Sequence, residues 1–440
     1  METIAGFPFT GIEFTKDGAV AKNAQVQAAL SMLDEQHATD VLVLSHGWNN
    51  DMVDARELYT NLLRRIRASL DAHKVSGADR AYAVIGVFWP SKKFAEKNLI
   101  PSGAAALGSA VTDAVLVEQL DDLKGVFSAE HADAALEQAK QLVPSLEGSP
   151  AARREFADLV RSVVPPSAAD DEDATTAFFK LSGDQLMAQL SKPVLPPVPP
   201  PGQRGGAARL GSPQPPGGAA GLGQLVAGVK AAARNLLDFT TYYQMKERAG
   251  VIGMGGVYQV LQRIKAAHPD VRLHLAGHSF GGRLVTAAAT GPGGQPPVQV
   301  STVTLLQAAY SHYGLAEHYE GNKNGLFRRM LTDGNVSGPV LITHSVNDKA
   351  VGLAYPLASL IAGQVGAGIG DKNDRYGGLG RNGAQKTPEA SDGTLLDDAH
   401  AYAFAARKIY NLNGDEIIMG HSDICKDQVA DAMLTAIATT

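Results

Sequence analysis

Short apolar runs recur along the chain. They alternate with longer stretches whose apolar positions repeat every three to four residues. The runs at Asp40-Val41-Leu42-Val43-Leu44, Ala81 to Trp89, 271–276, 301–308, 339–344 and 416–419 read as strands. The first is continuous rather than alternating, as a parallel strand buried on both faces requires. Phe9 to Thr15, closed by Lys16-Asp17-Gly18, reads as a further strand. Helical spacing covers 23–36, with Val26, Leu30 and Leu33 on one side. It returns at Leu58, Leu62, Ile66 and Leu70, where Asn50 or Asp51 can cap the start. Thr241 to Ala267 reads as a helix broken at Gly250–Gly256, another follows Gly281, and the last covers 424–438. Strand and helix in alternation predict an α/β fold: a mostly parallel central sheet with helices on both faces.

The alternation stops between 91 and 240. Helix-like segments at 104–126, 129–144, 150–163 and 174–190 fill most of that interval. The chain therefore divides into an α/β core, 1–95 and 240–440, and a large, mainly helical insert, 96–239. Within the insert, residues 192–218 are rich in Pro and Gly. Such a composition cannot pack a core and is expected to be extended or disordered, offering a surface on which a proline-binding protein partner could dock. The acidic run Asp170-Asp171-Glu172-Asp173 lacks the alternating ligand spacing of a calcium loop and reads as solvated.

Composition narrows the functional classes. Of 440 residues 45% are hydrophobic, enough for a large core, and the formal net charge is −6. No block of Lys and Arg appears, which argues against nucleic acid as partner. The single cysteine, Cys425, excludes an intramolecular disulfide and has no neighbours that would make it a nucleophile. No basic, apolar leader opens the sequence, and no apolar run is long enough to span a bilayer, so a cytoplasmic protein without a transmembrane segment is expected.

The candidate chemistry centres on Gly277-His278-Ser279-Phe280-Gly281, set between the strand 271–276 and the following helix. A serine on so tight a strand-to-helix turn is held out of the sheet, and glycines at 277 and 281 leave room for the turn. The helix start aims N–H groups at the serine, where negative charge would develop in acyl transfer. A serine hydroxyl needs a base, and the base an orienting carboxylate, both expected on later strand-end loops with the acid first. Asp348, after the strand 339–344, and His421, after 416–419, meet that order. His344 and His278 are the other candidate bases, although a side chain next to the nucleophile points away from it, so His278 is expected to bond around the turn. The Phe280 N–H is the expected first oxyanion donor. His46-Gly47-Trp48, after the strand at 41–44, supplies the second from the Trp48 N–H, with Gly47 allowing close approach. No metal or other cofactor is called for.

Together, His46-Gly47-Trp48, the Gly-x-Ser-x-Gly turn, Asp348 and His421 resemble the α/β-hydrolase superfamily in its lipase/esterase-like branch. Ser45 to Asn50, Val87-Phe88-Trp89-Pro90-Ser91, Tyr242 to Lys246 and Gly277 to Gly282 are similar to a group of bacterial serine hydrolases. The stretch Gly377 to Gly383 also looks like that group, with no chemical role apparent. The resemblance covers 1–95 and 240–440. It implies the fold and a Ser-His-Asp hydrolase, but no substrate. The expected function is hydrolysis of a small-molecule ester or lipid-like substrate through an acyl-enzyme, with the insert as a cap that sets substrate size. Two alternatives stand beside it: a non-catalytic scaffold or binding protein on the same fold, and an acyltransferase.

Overall fold

The computed structural model describes residues 2–75, 79–91, 111–165, 172, 175–191, 228–348, 350–351 and 372–440. They fall into two compact units. The first comprises Met1–Lys93, Tyr242–Gly352 and Arg375–Thr440, and the second comprises Phe94–Thr241 and Leu353–Asp374. The Pro/Gly-rich stretch 192–218 lies outside the described residues.

Among the described residues, the first unit is built on a nine-stranded, mostly parallel mixed sheet. Its strands are β1 (Glu2–Ile4), β2 (Phe7–Glu13), β3 (Asp40–Ser45), β4 (Tyr82–Phe88), β5 (Arg272–His278), β6 (Thr302–Leu306), β7 (Val340–His344), β8 (Ala390–Thr394) and β9 (Ile409–Asn413). Their order across the sheet is β1-β2-β4-β3-β5-β6-β7-β9-β8, with only β1 antiparallel to its neighbour. Helices pack around it: α1 (Asn23–Glu35), α2 (Met52–Asp71), the end of α3 (Val229–Ile252), α4 (Tyr258–Ala267), α5 (Phe280–Thr290) and α6 (Asp427–Ala438). The π-turn Gly253–Val257 joins α3 to α4, where the glycines interrupt the expected helix. Leu42 and Leu44 share a core cluster with Leu62, Ile66, Met433 and Ile437 of α2 and α6. Val41 and Val43 face the other way, by the alternation of a strand, and are equally buried. Both faces of β3 are therefore dry, which is why its sequence is continuously apolar. Asp51 caps α2 and completes a capping box with Asp54.

One expected strand is displaced. Residues 416–419 are not a strand but a turn and loop beyond β9, which is Ile409–Asn413. Ile418 is apolar because it drops into the core from that loop, while Met419 is 63% exposed. His421 still follows the last parallel strand, by a longer connection.

The described part of the second unit is helical: Asp113–Asp122, Ala132–Leu142, Pro150–Ser162, Thr175–Lys180, Gly183–Leu190 and the start of α3. The expected helix 174–190 splits because Ser182 caps a new start, its side chain and that of Gln185 satisfying each other's backbone N–H groups. Leu116, Leu136, Phe156 and Phe178 are fully buried in it. Of the acidic run only Glu172 is described, and it is buried rather than solvated. Among the described residues no helix is long and apolar enough to cross a membrane.

Candidate active site

The parallel strands β3, β5, β7 and β9 end at one rim of the sheet, and the loops leaving it carry the residues singled out above. Between β5 and α5 stands a single residue, Ser279, with φ 56° and ψ −124°. A positive φ is strained for any residue with a side chain and persists only where the surroundings enforce it. Here they do. A Cβ on Gly277 would lie 2.2 Å from the Gly281 carbonyl oxygen, and one on Gly281 would lie 2.3 Å from that of Ser45. The turn closes on itself and on β3 so tightly that both positions exclude a side chain. The Ser279 N–H donates to Leu306 and the Ser279 carbonyl accepts from Ala309, each at 3.0 Å, which ties the turn to the end of β6.

The Ser279 Oγ is 2.8 Å from Nε2 of His421, and Nδ1 of His421 is 2.9 Å from Oδ2 of Asp348. A carboxylate only accepts, so Nδ1 carries the proton and Nε2 offers its lone pair to the serine hydroxyl. Asp348 is fully buried, while the His421 side chain keeps 21% exposure. The other carboxylate oxygen of Asp348 accepts from the Val351 N–H at 2.9 Å. Neither His344 nor His278 takes the place beside the serine hydroxyl: His344 closes β7 opposite Asn413, and His278 bonds elsewhere.

The loop 46–48 lies directly on the turn, since a Cβ on Gly47 would meet that of Ser279 at 2.6 Å. The Phe280 N–H is the first of α5, where a helix supplies no acceptor of its own. The Phe280 ring stands 6.0 Å from Trp48 and 5.1 Å from Tyr242, holding the two expected donor segments together. His46 fixes the loop from beneath. Its Nδ1–H donates to the Gly47 carbonyl and its Nε2 accepts from the Trp89 N–H. The Trp89 indole N–H donates to the His46 carbonyl, and the two rings stack at 5.5 Å. Burial pushes the His46 imidazole down to about 4, so it stays neutral.

Several supporting residues escaped the sequence reading. The Ile418 carbonyl accepts from Ser345 Oγ and Asn347 Nδ2, both at 3.0 Å, which ties the Asp348 loop to the His421 loop. The stretch Gly377 to Gly383 acquires a role here. Gly380 packs so closely on Gln307 that a Cβ would lie 2.4 Å from its backbone, and the Gly380 carbonyl accepts from the Ser345 N–H. Arg381 donates to the Val346 carbonyl at 2.6 Å. That stretch therefore clamps the loop carrying Asp348. A Ser-x-Asn-Asp sequence after a strand is the one local signal of such a loop, since hydroxyl and amide side chains bond backbone groups near them. Cys425 stands apart, its thiol pushed up to about 11 by burial. Among the described residues no three His, Cys, Asp or Glu side chains are grouped so as to hold a metal ion.

No family model matches the chain, and neither a curated protein nor a solved structure matches it.

Proposed function

We propose that the chain is a serine hydrolase of carboxylic esters, working through an acyl-enzyme on an α/β-hydrolase fold with a helical insert. The observation that carries this reading is the unbroken run from the hydroxyl of Ser279, on its strained backbone, through His421 to buried Asp348, at 2.8 and 2.9 Å. In this reading Ser279 Oγ attacks the acyl carbon as its proton passes to Nε2 of His421. Asp348 keeps the imidazole in the required tautomer and stabilises the imidazolium that forms. The negative charge that develops on the carbonyl oxygen falls to the Phe280 and Trp48 N–H groups. The proton on His421 then goes to the departing alcohol. Water, deprotonated by the same imidazole, attacks the acyl-serine; the acyl–Oγ bond breaks, His421 returns the proton to Ser279 Oγ, and the acid is released. The alcohol leaves first, so two half-reactions share one base.

The test is covalent. A fluorophosphonate probe should label the full-length protein at Ser279, and short p-nitrophenyl esters should be turned over. Ser279→Ala should abolish labelling and lower kcat by about 10⁴-fold or more. Equal labelling of the alanine variant would refute the assignment.

A further inference from the structure

We propose that His278 is a positioning residue for this reaction: its Nε2–H holds the backbone carbonyl of His421 and so sets where the His421 imidazole stands over Ser279. The inference rests on the hydrolase reading above and adds to it a residue that touches neither the substrate nor the reacting atoms.

Nε2 of His278 lies 2.8 Å from the His421 carbonyl oxygen, and the two rings are 4.8 Å apart. A carbonyl only accepts, so Nε2 of His278 carries its proton. Nδ1 is then a bare acceptor, buried and without a partner among the described residues. A second proton there would be a buried, unpaired charge, so the imidazole stays neutral. A neutral ring does not oppose the positive charge that arises on His421 as it takes the serine proton. A cationic side chain at this position would.

The loop needs such a tie. Around Gly420 there is open space, with no heavy atom within 4 Å of a Cβ built there, and Met419 beside it is well exposed. The loop bonds itself through Met419 N–H to Asp423 and Asp423 N–H to Gly420. Ser345 and Asn347 reach it at Ile418, three residues before the base. His278 grips it at the base itself. As the last residue of β5 and the neighbour of Ser279, it refers the position of the base to the strand that carries the nucleophile. An error of about 1 Å in such a placement can cost about 100-fold in rate.

The experiment compares His278→Leu, His278→Gln and His278→Asn with the wild-type protein. The Gln amide can place an N–H where Nε2 stands, whereas the shorter Asn amide cannot reach the carbonyl. We expect Leu and Asn to lower kcat about 10- to 100-fold with KM little changed, and to slow fluorophosphonate labelling equally. Gln should restore most of both. Amide hydrogen exchange over residues 419–423 should quicken in Leu and Asn and return toward wild type in Gln. If wild type labels and all three variants match it, the positioning role is overturned while the hydrolase reading stands. If wild type does not label, the hydrolase reading fails, and exchange decides the anchor: unchanged exchange over 419–423 overturns it too. If Leu does not fold, Asn against Gln carries the comparison, and equal kcat and exchange in those two would overturn the proposal.

Discussion

Two hydrogen-bonded rows in this protein have the same composition, and they stand at opposite rims of one sheet. One is Asp348, His421 and Ser279. The other is Asp40, His274 and Thr302, with His274 Nε2 3.0 Å from Asp40 Oδ1 and Nδ1 2.9 Å from Thr302 Oγ1. Both carboxylates are fully buried. The differences lie in what surrounds each row. Arg80 and Arg272 also donate to Asp40, at 2.8 Å and at 2.9 and 3.1 Å. Burial alone would raise the Asp40 carboxyl, but the donors from His274, Arg272 and Thr39 outweigh it and hold the group well below the usual carboxylate range. That carboxylate is already neutralised, so its imidazole has no charge to stabilise. His274 is only 2% exposed, and Thr302 lies within regular β6 rather than on a strained turn. In the proposed reading, then, a carboxylate, imidazole and hydroxyl in a row do not by themselves make a catalytic group. The rim that could act has a bent backbone, glycines that bring a second loop against the serine, and an imidazole that keeps some contact with solvent.

Removing each carboxylate sharpens the contrast most. Asp348→Asn should lower kcat by about 10⁴-fold, because an amide no longer enforces the tautomer of His421. Its stability cost should be near 1–2 kcal/mol. Asp40→Asn should do the reverse. It leaves the half-buried Arg80 and Arg272 without their counter-charge and weakens their hydrogen bonds, at about 2–3 kcal/mol, while kcat per folded molecule stays close to wild type. Urea unfolding together with active-site titration separates the two. Comparable loss of kcat in both variants would erase the distinction drawn here.

The two rims also differ in how far the sequence exposes them. Ser279 was legible because the strand, turn and helix around it are local, and the glycines that permit the turn sit two residues either side. Asp348 and His421 were legible only through chain order, and the strand before His421 was misplaced. β9 contains Asn411 and Asn413, poor strand formers, and Asn411 is buried because the backbone of Ala384 and the side chain of Asp392 satisfy it. Nothing within the strand announces partners so distant in sequence. Asp40 was equally hidden, since its meeting with Arg272 and His274 depends on the register between β3 and β5. The Ser345, Asn347 and Gly380 clamp was hidden for the same reason. Its bonds run between loops, not along one element.

Acidification should distinguish the rims next. Burial pushes His46 down to about 4 and His278 down to about 3, with the neighbouring His421 imidazole adding to the latter effect. A group with a depressed folded pKa takes up protons more readily when unfolded. Each therefore withdraws stability as pH falls below the ordinary histidine value near 6.5. At pH 5 that amounts to about 2 kcal/mol for each of these two, and His274, also lowered by burial, adds in the same direction. Asp40 acts in a lower window. Its depressed carboxyl stabilises the fold above about pH 4 and loses that contribution as pH falls further. The unfolding free energy should thus drop by about 4 kcal/mol or more from pH 7 to pH 5, before the carboxylates matter. His278→Leu should remove about 2 kcal/mol of that drop. A stability profile level between pH 7 and pH 5 would mean that these imidazoles are not held neutral in the fold.

The mildest expected effect is the most direct check on the second row. Thr302→Val keeps the shape of the side chain and a strand-forming residue but removes the hydroxyl that faces His274. The loss is one buried hydrogen bond and an acceptor left bare, about 1–3 kcal/mol. It lies at the strand starts, away from the turn, and the shared strand β5 is held in place by its pairing with β3 and β6. Distant changes of this size add independently. Fluorophosphonate labelling of Ser279 in Thr302→Val should therefore run at the wild-type rate at a temperature where the variant is folded. Slowed labelling in the folded variant would show that the row beginning at Asp40 reaches across the sheet to the serine, and the two rims would have to be treated as one device.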